Sequence, residues 1–318
     1  MRGALLGLVF LCGCAGAATR DHHHEIEESS AERDRLLARL EQQIAETRSG
    51  VPDSIDDFVV AVDLLDMASN RRLSINEDVQ LHAASTMKVP VLFELFRQAD
   101  AGERSLDDTI VVQNRFRSIL DGSEYSLTPA DDSDSTLYAL IDSTVTYREL
   151  ARLMIVRSSN LATNILIERV DPRRVRETMA RLNAHGMRVL RGVEDIPAYR
   201  AGLNNTATAY GFSRVLEAIA RCELLSARSC QEIVGILADQ EFDQGIPSGV
   251  PTGTRVANKT GWITAIHHDG AIVYPPGRPP YVLVVLTRGI EDSEVANALI
   301  RDLSAIVWDE VIEENGGP

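Results

Sequence analysis

The chain has 318 residues, of which 44% are hydrophobic and 25% are charged. This composition is that of a globular protein with a sizeable core, organised as one large domain or two ordinary ones. The formal net charge of −15 leaves no basic stripe to neutralise phosphates. It therefore argues against nucleic acid as a partner, and otherwise indicates solubility only.

Residues 1–13 have the pattern of an export signal, with a basic start, an apolar run over residues 4–11 and small residues after it. The run is too short to cross a bilayer as a helix. It ends in Leu11-Cys12-Gly13-Cys14-Ala15, which resembles the lipobox of bacterial lipoproteins. That resemblance implies lipidation at Cys14 and, because no Asp follows, an exported periplasmic protein anchored to the outer membrane. A plain secretory signal, cleaved a few residues later, is the alternative.

Residues 14–30 are polar and include three successive histidines at 22–24. These lack a fixed scaffold for a metal ion, so we interpret the segment as a tether. The folded domain is predicted to span residues 31–318. It begins with an amphipathic helix over residues 31–48, whose apolar stripe consists of Leu36, Leu37, Leu40 and Ile44.

The order of the remaining elements indicates an α+β fold. A β-rich run at 58–65 and a second one at 72–76 form a hairpin, and three more strands are predicted at 256–262, 271–274 and 281–287 before a last helix at 293–313. Between them the chain is mostly helical. We therefore predict an antiparallel five-stranded sheet built from both chain ends (31–83 and 253–318), with a helical block (84–252) inserted.

Export also sets the redox state of two further cysteines. Cys222 and Cys230 lie eight positions apart in a chain expected to reach an oxidising compartment. We predict a disulfide that joins the end of a helix at 212–221 to the start of a helix at 230–238. Two buried free thiols are the alternative.

Three short motifs suggest nucleophilic chemistry. Ser85-x-x-Lys88 opens a predicted helix, so the hydroxyl and the amine lie one turn apart on the same face. Ser158-Ser159-Asn160 follows a predicted helix at 147–156, and Lys259-Thr260-Gly261 lies on the first late strand. Each motif alone has a plainer interpretation as a helix cap, a loop cap or a solvated strand end. Their co-occurrence in this order argues against that interpretation.

This set resembles the S-x-x-K, S-D-N and K-T-G motifs of class A β-lactamases and penicillin-binding proteins. The resemblance covers roughly residues 31–313. It implies acylation of Ser85, with Lys88 as a neutral general base beside the cation of Lys259. Ser158 would pass a proton to the departing nitrogen, Asn160 would position the substrate, and the backbone N–H groups of Ser85 and Trp262 would hold the oxyanion. Thr260 and Gly261 would contact the substrate along the strand.

The chain departs from the family pattern at three places. Ser159 stands where the family has a structural Asp. Glu194 has the offset of the deacylation base, yet Pro197 and Ala198 replace the Leu and Asn that would hold the water. Glu194 is therefore either that base or a surface carboxylate. Asp195 could substitute for it, and Asn204-Asn205 could close the same loop.

The third departure concerns the substrate carboxylate. The family places an Arg on the strand after K-T-G, whereas this chain has His267-His268-Asp269-Gly270. We expect Asp269 to repel a carboxylate. The segment 114–143 is longer than the usual connection and is predicted to form a rim over the site.

Three functions follow from these features. The first is a serine hydrolase that forms an acyl-enzyme at Ser85 and hydrolyses a β-lactam or another amide. The second is a D-alanyl-D-alanine peptidase or esterase-like relative that deacylates slowly. The third is a non-catalytic envelope lipoprotein that binds peptidoglycan. All three take a small β-lactam or peptidoglycan-like ligand, and none requires a metal ion or an organic cofactor.

Overall fold

A computed structural model describes residues 18–52 and 57–313 of the chain, and side chains from residue 31 to 312 within those ranges. The predicted export signal and Cys14 lie outside the described residues. The first helix, α1, spans Ala18–Gly50 and so begins earlier than the predicted start at residue 31. Residues 18–30 of the predicted tether therefore have a helical backbone.

The described elements follow in chain order. The strands are β1 (Val59–Asp66), β2 (Arg71–Ile75), β3 (Leu81–His82), β4 (Thr109–Val111), β5 (Phe116–Arg117), β6 (Glu124–Tyr125), β7 (Thr144–Thr146), β8 (Thr206–Ala207), β9 (Arg255–Ile263), β10 (Ile266–Tyr274) and β11 (Tyr281–Arg288). The helices after α1 are α2 (Lys88–Asp100), α3 (Tyr147–Val156), α4 (Asn160–Val170), α5 (Pro172–Arg181), α6 (Ile196–Arg200), α7 (Ala209–Arg221), α8 (Ala227–Ala238) and α9 (Ser293–Glu313). Short 3₁₀ helices span Ala84–Met87, Pro129–Asp131, Thr136–Leu140 and Ile246–Gly249.

The predicted five-stranded sheet is confirmed. Its strand order is β2-β1-β11-β10-β9, and every neighbouring pair is antiparallel. The strand β10 begins at Ile266, five residues before its predicted start. The sequence did not predict residues 266–270 as part of this strand, because His267-His268-Asp269 lacks the alternation of apolar and polar residues that indicates a half-buried strand.

Two hydrophobic cores cover the two faces of the sheet. One face packs against α1 and α9 through residues such as Leu40, Leu283 and Leu303. The other packs against the helical block, in a core that includes Phe212 of α7 and Leu286 of β11. Because both faces are buried, the strand β11 reads as a nearly continuous apolar run rather than an alternating one.

Glycines let the helical block approach the sheet closely. A Cβ on Gly270 of β10 would lie 2.4 Å from the ring of Phe212, and a Cβ on Gly261 of β9 would lie 2.8 Å from the backbone nitrogen of Ser85. Real Cβ atoms do not approach so near, so larger residues would push the layers apart. This approach brings the edge strand β9 against the turn that carries Ser85.

The predicted disulfide between Cys222 and Cys230 is present, with 5.6 Å between the two Cα atoms. Cys222 ends α7 in the left-handed conformation, with φ of 56°, and Cys230 lies at the fourth position of α8. The bond therefore joins two helices that meet at a tight corner. None of the described helices is both long and apolar enough to cross a bilayer.

We expect the variant Cys222→Ser to unfold at a lower denaturant concentration than the wild type. The bond closes a short loop, so its loss costs about 2–3 kcal/mol of unfolding free energy in the chain-entropy account. Urea unfolding with and without a reductant measures this. The reductant should lower the wild-type midpoint to that of the variant and leave the variant unchanged. An oxidised wild type with the same midpoint as the variant would contradict the prediction.

Candidate active site

Ser85 lies on a tight turn that leads directly into α2. The turn is the 3₁₀ helix Ala84–Met87, entered through Ala84 in the left-handed region with φ of 45°. Ser85 is half-buried, and it is not the N-cap of α2, because that position is Met87. The capping interpretation of this serine is therefore wrong, and its hydroxyl lines a cleft.

Lys88 is the first residue of α2 and is fully buried. Its Nζ lies 2.5 Å from the carbonyl oxygen of Ser158, 3.1 Å from Ser158 Oγ and 2.9 Å from Asn160 Oδ1. The first and second predicted motifs therefore meet. Among the described residues, no hydrogen bond joins Lys88 Nζ to Ser85 Oγ.

Ser158 lies between α3 and α4 with φ of 56°, a conformation that costs energy for a residue with a side chain. Ser159 caps α4, because its hydroxyl accepts a hydrogen bond from Ala162 N at 3.3 Å. A serine in place of the family's Asp thus fills the N-cap, a role for which its side chain is well suited.

A carboxylate from the rim segment holds the same motif from outside. The two oxygens of Asp132 accept hydrogen bonds from Asn160 N at 2.8 Å and from Leu161 N at 2.9 Å, at the start of α4. The hydroxyl of Tyr138 also donates to Asp132, at 3.0 Å. No local pattern in the sequence signals this contact, because Asp132 lies 28 residues before Asn160.

Lys259 of β9 is the second buried amine. It is fully buried, and its Nζ donates to the carbonyl oxygen of Thr260 at 2.9 Å. The expected bridge from Ser158 to Lys259 is not among the hydrogen bonds of the described residues. Lys88 and Lys259 are the two lysines of the whole chain, and the remaining basic side chains outside histidine are arginines.

Burial lowers the pKa of both amines, because the low-dielectric interior disfavours an ammonium. The pKa of Lys88 falls well below its usual value, first by desolvation and then by repulsion from Lys259, against the attraction of Asp132. Desolvation lowers the pKa of Lys259 to about 7, opposed by Asp269. Both amines therefore release a proton more readily than a lysine in water does.

The cleft has a volume of about 390 Å³ and brings Ser85, Asn160, Glu194 and Trp262 together. Rim residues Asp131 and Ser133 line it as well. Thr260 and Gly261 line a second cavity of about 220 Å³, which shares Trp262 with the cleft. Within the described part of the chain, the buried hydroxyl oxygen of Thr260 has no hydrogen-bond partner.

The two carboxylates of the loop before α6 differ in their surroundings. Glu194 is exposed at the cleft with φ of 61°, and its side chain has no hydrogen bond among the described residues. Asp195 is fully buried, where it accepts from Ser118 Oγ at 2.6 Å and from Ile119 N at 2.9 Å. Asp195 therefore ties the rim to this loop, and the structure does not support it as a substitute for Glu194.

Asn205 closes the same loop, as expected. Its Oδ1 accepts hydrogen bonds from Leu190 N at 2.8 Å and Arg191 N at 3.1 Å, and its Nδ2 donates to the carbonyl oxygen of Arg191 at 3.0 Å. Its own carbonyl oxygen accepts from Ala83 N at 2.9 Å. The loop is thereby fixed to the segment that precedes Ser85.

The expectation that Asp269 repels a substrate carboxylate is not supported. Asp269 is fully buried and lies away from the cleft, where its carboxylate accepts from Asn258 Nδ2 at 3.1 Å and Ile246 N at 2.9 Å. Burial raises its pKa to about 6. Strand alternation explains this, because Asp269 pairs with Thr260 and shares its face of the sheet, opposite to the face of Gly261 and His268.

Sequence reasoning missed three side chains that line the cleft, His82, Arg191 and Tyr199. His82 lies three residues before Ser85, and a short strand pair between β3 and β8 holds it there. Arg191 packs over the ring of Tyr199 at 5.4 Å. No motif marked these positions, since they meet only after the loop folds back.

Comparisons with known proteins agree with this geometry. A model of the beta-lactamase enzyme family matches residues 39–311. A β-lactamase of Bacillus licheniformis is 24% identical over 308 residues, covering 95% of this chain and 92% of the relative. A solved β-lactamase of Sphaerobacter thermophilus matches with a TM-score of 0.73 and 24% identity, over 88% of this chain and 99% of that one. A solved β-lactamase of Xanthomonas campestris matches with a TM-score of 0.75 and 21% identity, over 88% of this chain and 98% of that one. At these identities the structural matches carry the fold alone.

We expect Lys259→Met to weaken the dependence of stability on pH. Between pH 7 and 10.5 the unfolded chain keeps the Lys259 proton that the folded chain has lost. Unfolding then takes up protons, so wild-type stability rises with pH, by up to about 1.4 kcal/mol per unit from this group.

The measurement is the unfolding free energy in urea from pH 6 to 10 for the wild type, Lys259→Met and Arg255→Met. Arg255 is an exposed cation on the same strand, and its variant should keep the wild-type slope. The Met variant should gain most over the wild type at and below pH 7. Parallel curves for the wild type and Lys259→Met would contradict the low pKa.

Proposed function

This chain belongs to the beta-lactamase enzyme family and is a β-lactamase-like serine hydrolase, and from that premise we propose that Ser85 opens the amide bond of a β-lactam. The observation that carries the proposal is the buried Lys88 amine in contact with Ser158 and with Asn160, which lines the same cleft as Ser85. An uncharged amine is the form that can accept a proton.

In the acylation step, the Ser85 oxygen attacks the carbonyl carbon of the β-lactam as its proton passes to Lys88. An uncharged Lys88 has two N–H donors and a lone pair. The donors match the Ser158 carbonyl and Asn160 Oδ1. Nζ donates to Ser158 Oγ at 3.1 Å as an ammonium, and in the uncharged form its lone pair accepts from that hydroxyl instead. Lys88 exchanges this last contact for Ser85 Oγ when substrate enters. Such contacts are often loose in free enzymes.

The C–N bond of the tetrahedral intermediate then breaks. The nitrogen takes a proton from the Ser158 hydroxyl, which recovers one from the Lys88 ammonium. The contact between Lys88 and Ser158 supports this relay. Burial and then the positive charge of Lys259 lower the pKa of Lys88, so the proton leaves Lys88 readily.

The oxyanion is held by the backbone N–H groups of Ser85 and Trp262. Support comes from the close approach of β9 to the Ser85 turn, where a Cβ on Gly261 would lie 2.8 Å from Ser85 N. Any side chain at position 261 would fill this space. Removing one donor of such a pair lowers turnover by about 10²–10³-fold in other enzymes.

Deacylation is assigned to Glu194, which would take a proton from the water that attacks the ester. Its place on the wall of the cleft supports this role. Ala198 does not offer the amide that would hold the water, because it is a buried alanine whose N–H bonds to Asp195. This observation favours a second candidate, an acylating peptidase or esterase that releases its product slowly.

Export through the signal in residues 1–13, with lipidation at Cys14, belongs to the same proposal. The sequence pattern supports it, and a periplasmic enzyme at the outer membrane would meet β-lactams and peptidoglycan fragments.

Incubation with benzylpenicillin should add one molecule to the protein at Ser85, detected by intact mass and peptide mapping. Ser85→Ala should give no adduct. Lys88→Met should slow adduct formation by about 10²–10⁴-fold, because the general base is lost. Arg255→Met serves as the control for loss of a cation on the surface. An adduct on Ser85→Ala, or an unchanged rate for Lys88→Met, would refute the mechanism.

Glu194→Gln should lengthen the lifetime of the acyl-enzyme without slowing its formation. Glu291→Gln removes an exposed carboxylate elsewhere and should leave both rates unchanged. Mass spectrometry after quenching at successive times follows the decay. Equal lifetimes for the wild type and Glu194→Gln would remove Glu194 from the mechanism. A wild-type adduct that does not decay would identify the slow acylating relative.

A further inference from the structure

Arg191 is a buried cation without a carboxylate partner. It is 6% exposed, lines the cleft, and within the described ranges no Asp or Glu oxygen lies within salt-bridge distance of its guanidinium. Its Nη1 donates to the carbonyl oxygen of Gly192 at 3.0 Å, and its Nη2 donates weakly to Asn204 Oδ1 at 3.3 Å. Its Nε has no partner among the described atoms. The charges of the buried Asp195 and of Glu194 attract the guanidinium from a distance. Buried charges are normally paired by direct contact, so a place for a directly bonded anion is left open.

A second donor points at the same place. The Nδ1 atom of His82 accepts a hydrogen bond from Ala84 N at 3.1 Å, which puts the hydrogen of the neutral ring on Nε2. That Nε2 lies 3.4 Å from Arg191 Nη2. Two N–H donors therefore face each other and cannot bond to one another. An anionic oxygen beside the pair, about 2.9 Å from each nitrogen, would accept from both.

The net positive charge of Arg191 and His82 also favours binding of an anion. Burial and the charge of Arg191 lower the pKa of His82 to about 4, so the ring is neutral at pH 7 and the guanidinium carries the positive charge. Two carboxylates, Glu194 and Asp131, also line the cleft. Both are exposed, so solvent screens them more than it screens Arg191.

We propose that Arg191 and His82 form a subsite for a carboxylate on the acyl side chain of the substrate, so that this enzyme prefers substrates with an anionic acyl group. The subsite lies on the loop wall of the cleft, whereas Lys259 and Thr260 lie on β9. It is therefore separate from the place where the family holds the carboxylate of the β-lactam ring system. The kinetic test of this inference rests on the proposed acylation of Ser85.

Carbenicillin and benzylpenicillin are a matched pair for the test, because they differ by one carboxylate on the acyl side chain. We expect Arg191→Gln to lower the second-order acylation rate for carbenicillin by about tenfold or more, the scale of a charge-assisted hydrogen bond. For benzylpenicillin the loss should be clearly smaller, because this substrate has no carboxylate on its acyl side chain for Arg191 to bind. Arg191→Lys should lie between wild type and Arg191→Gln, since it keeps the charge and loses the planar fork.

Arg200→Gln is the control, because Arg200 is an exposed arginine at the end of α6. It should change neither rate. Equal losses for both penicillins in Arg191→Gln would overturn the inference and indicate a general role of Arg191 in the loop. Melting temperatures of the variants show whether such a loss comes from unfolding.

Binding to Ser85→Ala tests the subsite without acylation. Carbenicillin should raise the melting temperature of Ser85→Ala more than benzylpenicillin does, and the added Arg191→Gln should remove this difference. If wild type forms no adduct with either compound, the proposed function fails, and this comparison still decides the inference. Equal shifts from the two compounds in Ser85→Ala would overturn it.

Discussion

The burial of two lysine amines near one another is the constraint on which the site depends. An ammonium loses several kcal/mol of hydration when it is buried, and a lysine can avoid this cost by releasing its proton. A guanidinium cannot. The chain has only two lysines, and both lie here, while arginine supplies every ion pair described at the surface. The placement of the two lysines at this site therefore follows from the ability of an amine, unlike a guanidinium, to release its proton when it is buried.

The fold supplies the second requirement, which is to bring the two amines together from distant parts of the chain. Lys88 begins a helix of the inserted block, and Lys259 lies on the edge strand of the sheet. Glycine at position 261 removes the side chain that would separate the two layers. The core between sheet and helices thus buries Lys88, which lowers its pKa, and places Lys259 near enough for its charge to lower that pKa further.

Much of this could be predicted from the sequence, because the sheet, the motifs around Ser85, Ser158 and Lys259, and the disulfide all have local patterns. The parts that were missed depend on contacts between distant segments. Asp132 reaches the start of α4 from the rim, and Arg191 meets His82 only after its loop folds back. The predicted contact of Asp269 with the substrate was wrong, because β10 begins earlier than its apolar residues suggest. Asp269 therefore lies within the strand, where alternation turns its carboxylate away from the cleft.

The most direct test is an NMR titration of the protein labelled with ¹³C at the lysine ε-carbons. With two lysines in the chain, the folded protein gives two signals, and Lys259→Met assigns them by removing one. The signal of Lys259 should titrate near pH 7, and that of Lys88 well below the usual value of 10.5. Two signals that both titrate near 10.5 would show that Lys88 is an ammonium at neutral pH, and the proton transfer from Ser85 would have no acceptor.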